Sequence, residues 1–518
     1  MLRALFTQGH ASAALVASLA HGKEIEQSLT AMRDEAHKLD RDGRTKSALN
    51  EVLRRHALSM MYHPTPLQNK LMALTAFQKV ITSPAFFLQQ TVEPFMMLAP
   101  VLAGHFNDYR GTMKEMGSAY AQAMQTIGLN PMHSGSAPDA ILAKLKGHKN
   151  SVGRDYDAIK ELIETGRADL GNFNEFGNLG MSADKPVAHA INTVLSKVSR
   201  VATDMEEINR IASGLTAYRM KYKQLVAGGK GADAAHTEAT AYASRMVDHS
   251  HGNYSAWASP RYMMQAGSSL PIRLITQFRK FQVMELSLLG RLVHGAFHAD
   301  TPESKAMAQR ALKYMTAQMA VVAGGMGIPM AGVVADLASL FLRDDDEPWG
   351  RETTELHLRK LIGDPTLSNL LLHGAPAGAG VDVSKRIGGG GMGDLAPYSE
   401  LDVGSRKGFE GTLPKLLGPF IGGTLPATFD TYKLLRQGEY QRGMESLTPT
   451  LLTNLSKAQR FASQGVTNAK GDVLLKPEQL SSFDLAAQAL GLPSTHLTDR
   501  QFKQSVLMNQ EEKWKEME

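Results

Sequence analysis

The sequence predicts an all-α fold, an elongated assembly of many helices with an irregular Gly/Pro-rich region near 374–430. Two observations carry this. Apolar residues recur at steps of three and four in every patterned stretch, while the period-2 alternation of half-buried strands is nearly absent. Aromatics make up only 7% of the chain against 27 Met and 47 Gly, which suits helices packed closely on helices and filled by flexible side chains. At 518 residues there is chain enough for several folding units. The expected division is an N-terminal helical region over 1–135, a central helical core over 136–345, and a Gly/Pro-rich segment with C-terminal helices over 346–518.

Taken in order, the first stretch, Met1 to Ala20, is apolar enough to suggest a signal peptide, but Gln8, Gly9 and His10 interrupt its apolar region, so it is read as an ordinary helix. Asp40-Arg-Asp-Gly43 is read as a turn, because its glycine comes too early for a calcium loop. From Ser196 to Lys223, Val198, Val201, Met205, Ile208, Ala212, Leu215, Tyr218 and Tyr222 fall on one stripe of a long helix, with a solvated back expected opposite. Glu206 and Glu207 stand one turn before Arg210, a favourable intrahelical pairing. Ala227-Gly-Gly-Lys-Gly-Ala-Asp233 ends that helix and starts another.

A second long helix is expected over 271–294, opening at Pro271. Leu274, Ile275, Phe278, Phe281, Leu288, Leu289, Leu292 and Val293 share one of its faces, and Arg273, Thr276, Lys280, Ser287 and Arg291 gather opposite. Such a basic amphipathic element suits a core, a partner or a membrane surface. The longest uncharged run is Tyr314 to Ala335, close to the length that crosses a bilayer. Gly324, Gly325, Gly327, Pro329 and Gly332 break it at the centre, so 314–342 is expected as a bent apolar hairpin, packed inside the protein and able to insert into lipid. Asp344-Asp-Asp-Glu347 would then stay in water. Glycines at 374–380 and 388–393 make the following stretch irregular, and helical punctuation returns from about Tyr432.

The chain contains no cysteine, which excludes disulfides, thiol nucleophiles and thiolate-bound metals. Its 56 basic and 51 acidic groups leave a net charge of +5 without a concentrated basic stripe, so DNA is expected to bind non-specifically at most. Neither glycine cluster has the Gly-x4-Gly-Lys-Ser/Thr spacing that cradles phosphates, and no His-Glu-x-x-His or Gly-x-Ser-x-Gly pattern occurs. Asp248-His-Ser-His251 puts two imidazoles beside a carboxylate. With no further ligand cluster in sequence, the expectation is two exposed histidines at a helix end, where the dipole favours them. Asp248, His249 and His251 are the best candidates for an enzyme site, yet no catalytic, cofactor-binding or metal residue is assigned, no cofactor is expected, and the chain is read as non-enzymatic.

Four blocks in a fixed order resemble the C-terminal region of large tailed-phage and prophage proteins of the PLxRFG type. Ile81-Thr-Ser-Pro-Ala to Met96, followed by Ala99-Pro-Val-Leu-Ala103, is similar to their Pro-rich stretch. Glu206-Glu-Ile-Asn-Arg210 with Ala217-Tyr218 is similar to the helix that comes next. Gly252-Asn-Tyr-Ser255, Pro260-Arg261 and Pro271-Ile-Arg-Leu to Phe281 resemble the naming block, although Ile272 stands for its leucine and Gln277-Phe278 follows an insertion. Gly374-Ala-Pro, Gly380-Val-Asp-Val-Ser384 and Gly393-Asp-Leu395 resemble the closing motif. The resemblance implies an internal virion protein, carried in the particle interior and ejected into the host cell envelope with the DNA. Its partners would be other virion or ejection proteins or further copies of itself, and no catalytic residue is carried over. The competing expectations are an unrecognised phage-borne enzyme or toxin, and a DNA-coating packaging protein.

Overall fold

The computed structural model describes residues 83–127, 154–165, 186–251, 279–328, 351–384, 425–436, 448–467 and 473–500, with a few isolated positions elsewhere. Of these residues 83% are helical, and the only sheet among them is a two-stranded antiparallel pair, so the class is all-α.

Helices α1 (Pro84–Phe106), α2 (Tyr109–Ile127), α3 (Asp155–Glu164), α4 (Pro186–Ala227) and α5 (Ala232–Ser250) build the main core. At 42 residues α4 is the longest, and α1, α2, α3 and α5 all pack on it. The apolar stripe expected from spacing is present in Met205, Ile208, Ala212, Leu215 and Tyr218, all buried. The expected solvated back is not. Every residue from Ile208 to Arg219 is buried, because neighbours surround this part of the helix instead of covering one face. Glycine makes one of these approaches possible: a Cβ on Gly214 would sit 2.4 Å from a Leu162 methyl. The division expected at 135 runs through this core, in which α1 and α2 share buried contacts with α4 and α5.

Helix α1 is apolar on two sides. Leu98, Ala99 and Leu102 face the main core, while Met96 and Met97 join Leu288 and Leu292 of α6 (Arg279–His298) and Ala311, Met315 and Met319 of α7 (Pro302–Ala323) in a second one. Thr301 starts α7 by accepting a hydrogen bond from the Ser304 amide at 3.1 Å, with Pro302 preset for the first turn. Leu288 and Leu292 lie on the expected apolar face of α6, but Val293 is exposed. Residues 271–278 and the side chain of Phe281 lie outside the described residues.

The uncharged run supplies the last turns of α7, where Met315, Met319 and Ala323 are buried and Val321 faces outward. The chain turns at Gly324, as its glycines suggest, into a single 3-10 turn over Gly325–Gly327. The expected second arm, 329–342, lies outside the described residues. Among the described residues no helix is long and apolar enough to cross a membrane.

The start of the region expected to be irregular is ordered. Helices α8 (Arg351–Ile362), α9 (Pro365–His373) and α10 (Ala375–Gly378) lead into Val381, which pairs antiparallel with Ser494. The Asp382 amide donates to the Pro493 carbonyl at 3.0 Å, and the Thr495 amide to the Gly380 carbonyl at 2.9 Å. These partners lie more than a hundred residues away in sequence, so 379–384 is irregular as expected but held in place by contacts that local glycine density cannot reveal. Residues 385–424 lie outside the described set. Beyond α11 (Leu425–Arg436), α12 (Thr450–Gln464), β1 (Val466–Thr467), β2 (Val473–Leu475) and α13 (Ser482–Ala489) close around Phe461, Val466, Leu475 and Leu497.

Candidate functional site

Chemistry-bearing side chains converge inside this helical frame at two buried clusters, each touching a block of the phage resemblance. The first joins α1, α4 and the end of α5. Pro94 has no amide hydrogen, so the carbonyl of Gln90, four residues before it, lacks its helical donor. Asn209 of α4 supplies one, its Nδ2 donating to that carbonyl at 2.9 Å. One helical turn away, Arg210 Nε donates to Glu206 Oε1 at 2.7 Å. Both residues are almost wholly buried, at 4% exposure each, so the expected i,i+4 pair is an interior contact.

Into the same space comes His251, the C-cap of α5 and completely buried. Its Nε2 lies 2.7 Å from Ser213 Oγ, and its Nδ1 lies 3.3 Å from Glu93 Oε1 without alignment for a hydrogen bond. Burial pushes the Glu93 carboxyl up to about 8 against the opposing pull of Arg210. Burial likewise pushes His251 down to about 4, with Glu206 raising it and Arg210 lowering it. Both groups are therefore neutral near pH 7.

The expectation of two exposed histidines is half right. His249 is exposed, but His251 is buried. A spacing of two along a helix turns side chains about 200° apart, so one of the pair had to face inward. Asp248 is half-buried and is not one of the three residues whose ligand atoms lie within 4.8 Å of one another there. Sequence reasoning missed Glu93 and Ser213, which stand far from the histidine pair in sequence and become its neighbours only by helix packing.

The second cluster joins α8, α9 and the Val381–Ser384 segment. His373 ends α9, its Nε2 3.0 Å from Glu355 Oε1 and its Nδ1 3.1 Å from Ser384 Oγ and 3.4 Å from Asp382 Oδ2. Ser384 donates its hydroxyl hydrogen to Asp382 Oδ1 at 2.7 Å. Arg359 donates to Glu355 at 3.0 Å and to Asp499 at 3.0 Å, tying the cluster to the C-terminal segment. Serine, histidine and two carboxylates are the ingredients of a nucleophilic triad, but their states are wrong for one. Burial opposes charge on His373, yet Asp382 and Glu355 together hold its pKa up to about 9, so at pH 7 it is an imidazolium and cannot accept the serine proton. Asp382 falls to about 2 because His373 and Ser384 outweigh its burial. Ser384 is wholly buried, leaving no approach for a substrate.

Two glycines let the strands of this knot meet. Gly324 (φ +70°) and Gly374 (φ +85°) cap α7 and α9 in a backbone region that side chains avoid. A Cβ on Gly324 would stand 2.3 Å from the His373 amide, and one on Gly374 2.5 Å from the Val322 carbonyl.

Fold and clusters together define a helical protein that buries two clusters of polar side chains among its helices. No family model, curated protein or solved structure matches the chain.

Proposed function

We propose that the chain is a non-enzymatic internal virion protein of a tailed phage or prophage, carried in the particle and released with the genome into the host envelope. The observation that carries this reading is the use made of the motif residues. Glu206 and Arg210 of one block neutralise each other, and Asp382 and Ser384 of another are bound to His373, all inside the protein. Residues so engaged serve the fold, as expected of a protein whose task is to be stored, transported and assembled. Methionine-filled contacts such as Met96, Met97, Met315 and Met319 repack readily, which suits a chain that must change partners.

Mass spectrometry of purified particles, before and after triggered DNA release, tests the proposal. The chain should be present in full particles and depleted in emptied ones, and its absence from full particles would refute the reading. Membrane insertion through 314–342 belongs to the same proposal and has its own probe. Because the chain has no cysteine, a fluorophore on Val321→Cys, a position 63% exposed on α7, reports on that segment alone. Transfer to a lipid-quenchable environment with anionic vesicles is expected, and a probe that stays in water at neutral and acidic pH would remove the membrane step. The DNA-coating alternative predicts salt-dependent retention on DNA, since phosphate contacts release counterions.

A further inference from the structure

We propose that Glu93, Glu206 and His251 form a buried binding site for a first-row divalent cation of the zinc or manganese kind, which fastens α1, α4 and the end of α5 together. Each residue offers one ligand atom, and the three atoms lie within 4.8 Å of one another. An independent feature points to a ligand: His251 Nδ1 is fully buried, lies 3.3 Å from Glu93 Oε1, and has no hydrogen-bond partner. Such an orphan is costly in a folded protein. The other ring nitrogen is fixed by Ser213 at 2.7 Å, the kind of outer contact that orients a ligating imidazole.

One imidazole and two carboxylates suit zinc or manganese better than calcium, which takes oxygen ligands alone. Coordination at about 2.0–2.2 Å requires the three atoms to draw together by roughly an ångström. Arg210 beside Glu206 opposes a cation. Its Nε occupies Oε1 of that carboxylate, and the second oxygen is the one available for coordination. The proposal stands on the geometry of these three helices and does not depend on the virion reading.

Calorimetric titration of the EDTA-treated full-length protein with zinc chloride, and separately with manganese chloride, tests it at pH 7. One of the two should bind at one site with a micromolar or lower Kd. Glu93→Gln should weaken that binding at least about tenfold with the helical circular dichroism unchanged, whereas His249→Asn, which alters the exposed histidine nearby, should leave it intact. The unaltered protein gives a second readout that needs no variant to fold: because the site joins three helices, saturating cation should raise its thermal midpoint. Absence of binding, binding unaffected by Glu93→Gln, binding abolished by His249→Asn, or a thermal midpoint that the cation leaves unmoved would each overturn the site.

Discussion

At the scale of single residues, polar side chains act here as substitutes for missing backbone partners. Asn209 supplies the donor that Pro94 lacks, and Arg310 of α7 reaches the Gly104 carbonyl at the end of α1 at 3.0 Å. Replacing Asn209 by Ala leaves the Gln90 carbonyl without that donor and opens a void beside it. A loss of about 1–3 kcal/mol is expected in urea denaturation, and a change within error would mean that water replaces the amide. Arg219 is held from two neighbouring helices, by Asp155 of α3 at 2.6 Å and by Glu115 at 3.1 Å and Gln122 of α2. Arg219→Met should therefore destabilise more than Asn209→Ala, by about 3–5 kcal/mol, because it strands a buried carboxylate. Equal effects in the same denaturation experiment would contradict that ordering.

At the scale of elements, glycine has opposite meanings at different positions, and contact decides which applies. Gly117 lies exposed within α2 with nothing within 4 Å of an added Cβ, so Gly117→Ala should stabilise by about 0.5–1 kcal/mol through helix propensity. Gly324→Ala should instead cost several kcal/mol, on the order of 2–4, since its Cβ meets backbone and its φ is positive. Thermal melts of the two variants should move in opposite directions. The spacing of Met205, Ile208, Ala212, Leu215 and Tyr218 made the stripe of α4 legible, and Gly324 marked the end of α7. The burial of Arg210 and Arg219 was not legible, because whether a helix back meets water depends on how many neighbours surround it. Nor was the 374–384 segment, whose order rests on Pro493, Ser494 and Thr495. The motif order picked out Glu206, Arg210, Asp382 and Ser384, and enclosed Glu93 in its first block, without revealing what they touch, and it gave no sign of His373.

At the scale of the whole molecule, the two clusters set how stability follows pH. His373, raised to about 9, contributes fully below its ordinary 6.5 and loses its contribution as pH climbs toward 9. Glu93, raised to about 8, also binds its proton more tightly when folded, so it too makes stability fall as pH rises from 4.5 to 8. His251 works the other way between about 4 and 6.5, where the unfolded chain takes up the proton that the folded one refuses. Asp382, depressed to about 2, adds stability that disappears as pH falls from 3.8 toward 2. The unfolding midpoint in urea should therefore be highest between roughly pH 4.5 and 6.5 and decline toward pH 9. That the motif residues hold the fold instead of acting on a substrate is tested most directly by comparing the unaltered protein with His373→Gln across pH 6 to 9. The variant should be less stable by on the order of 3 kcal/mol at pH 6, with the gap closing as pH approaches 9. A gap that stays constant over that range would mean that His373 is neutral in the folded protein, able to accept the Ser384 proton, and would contradict the structural role assigned to this cluster.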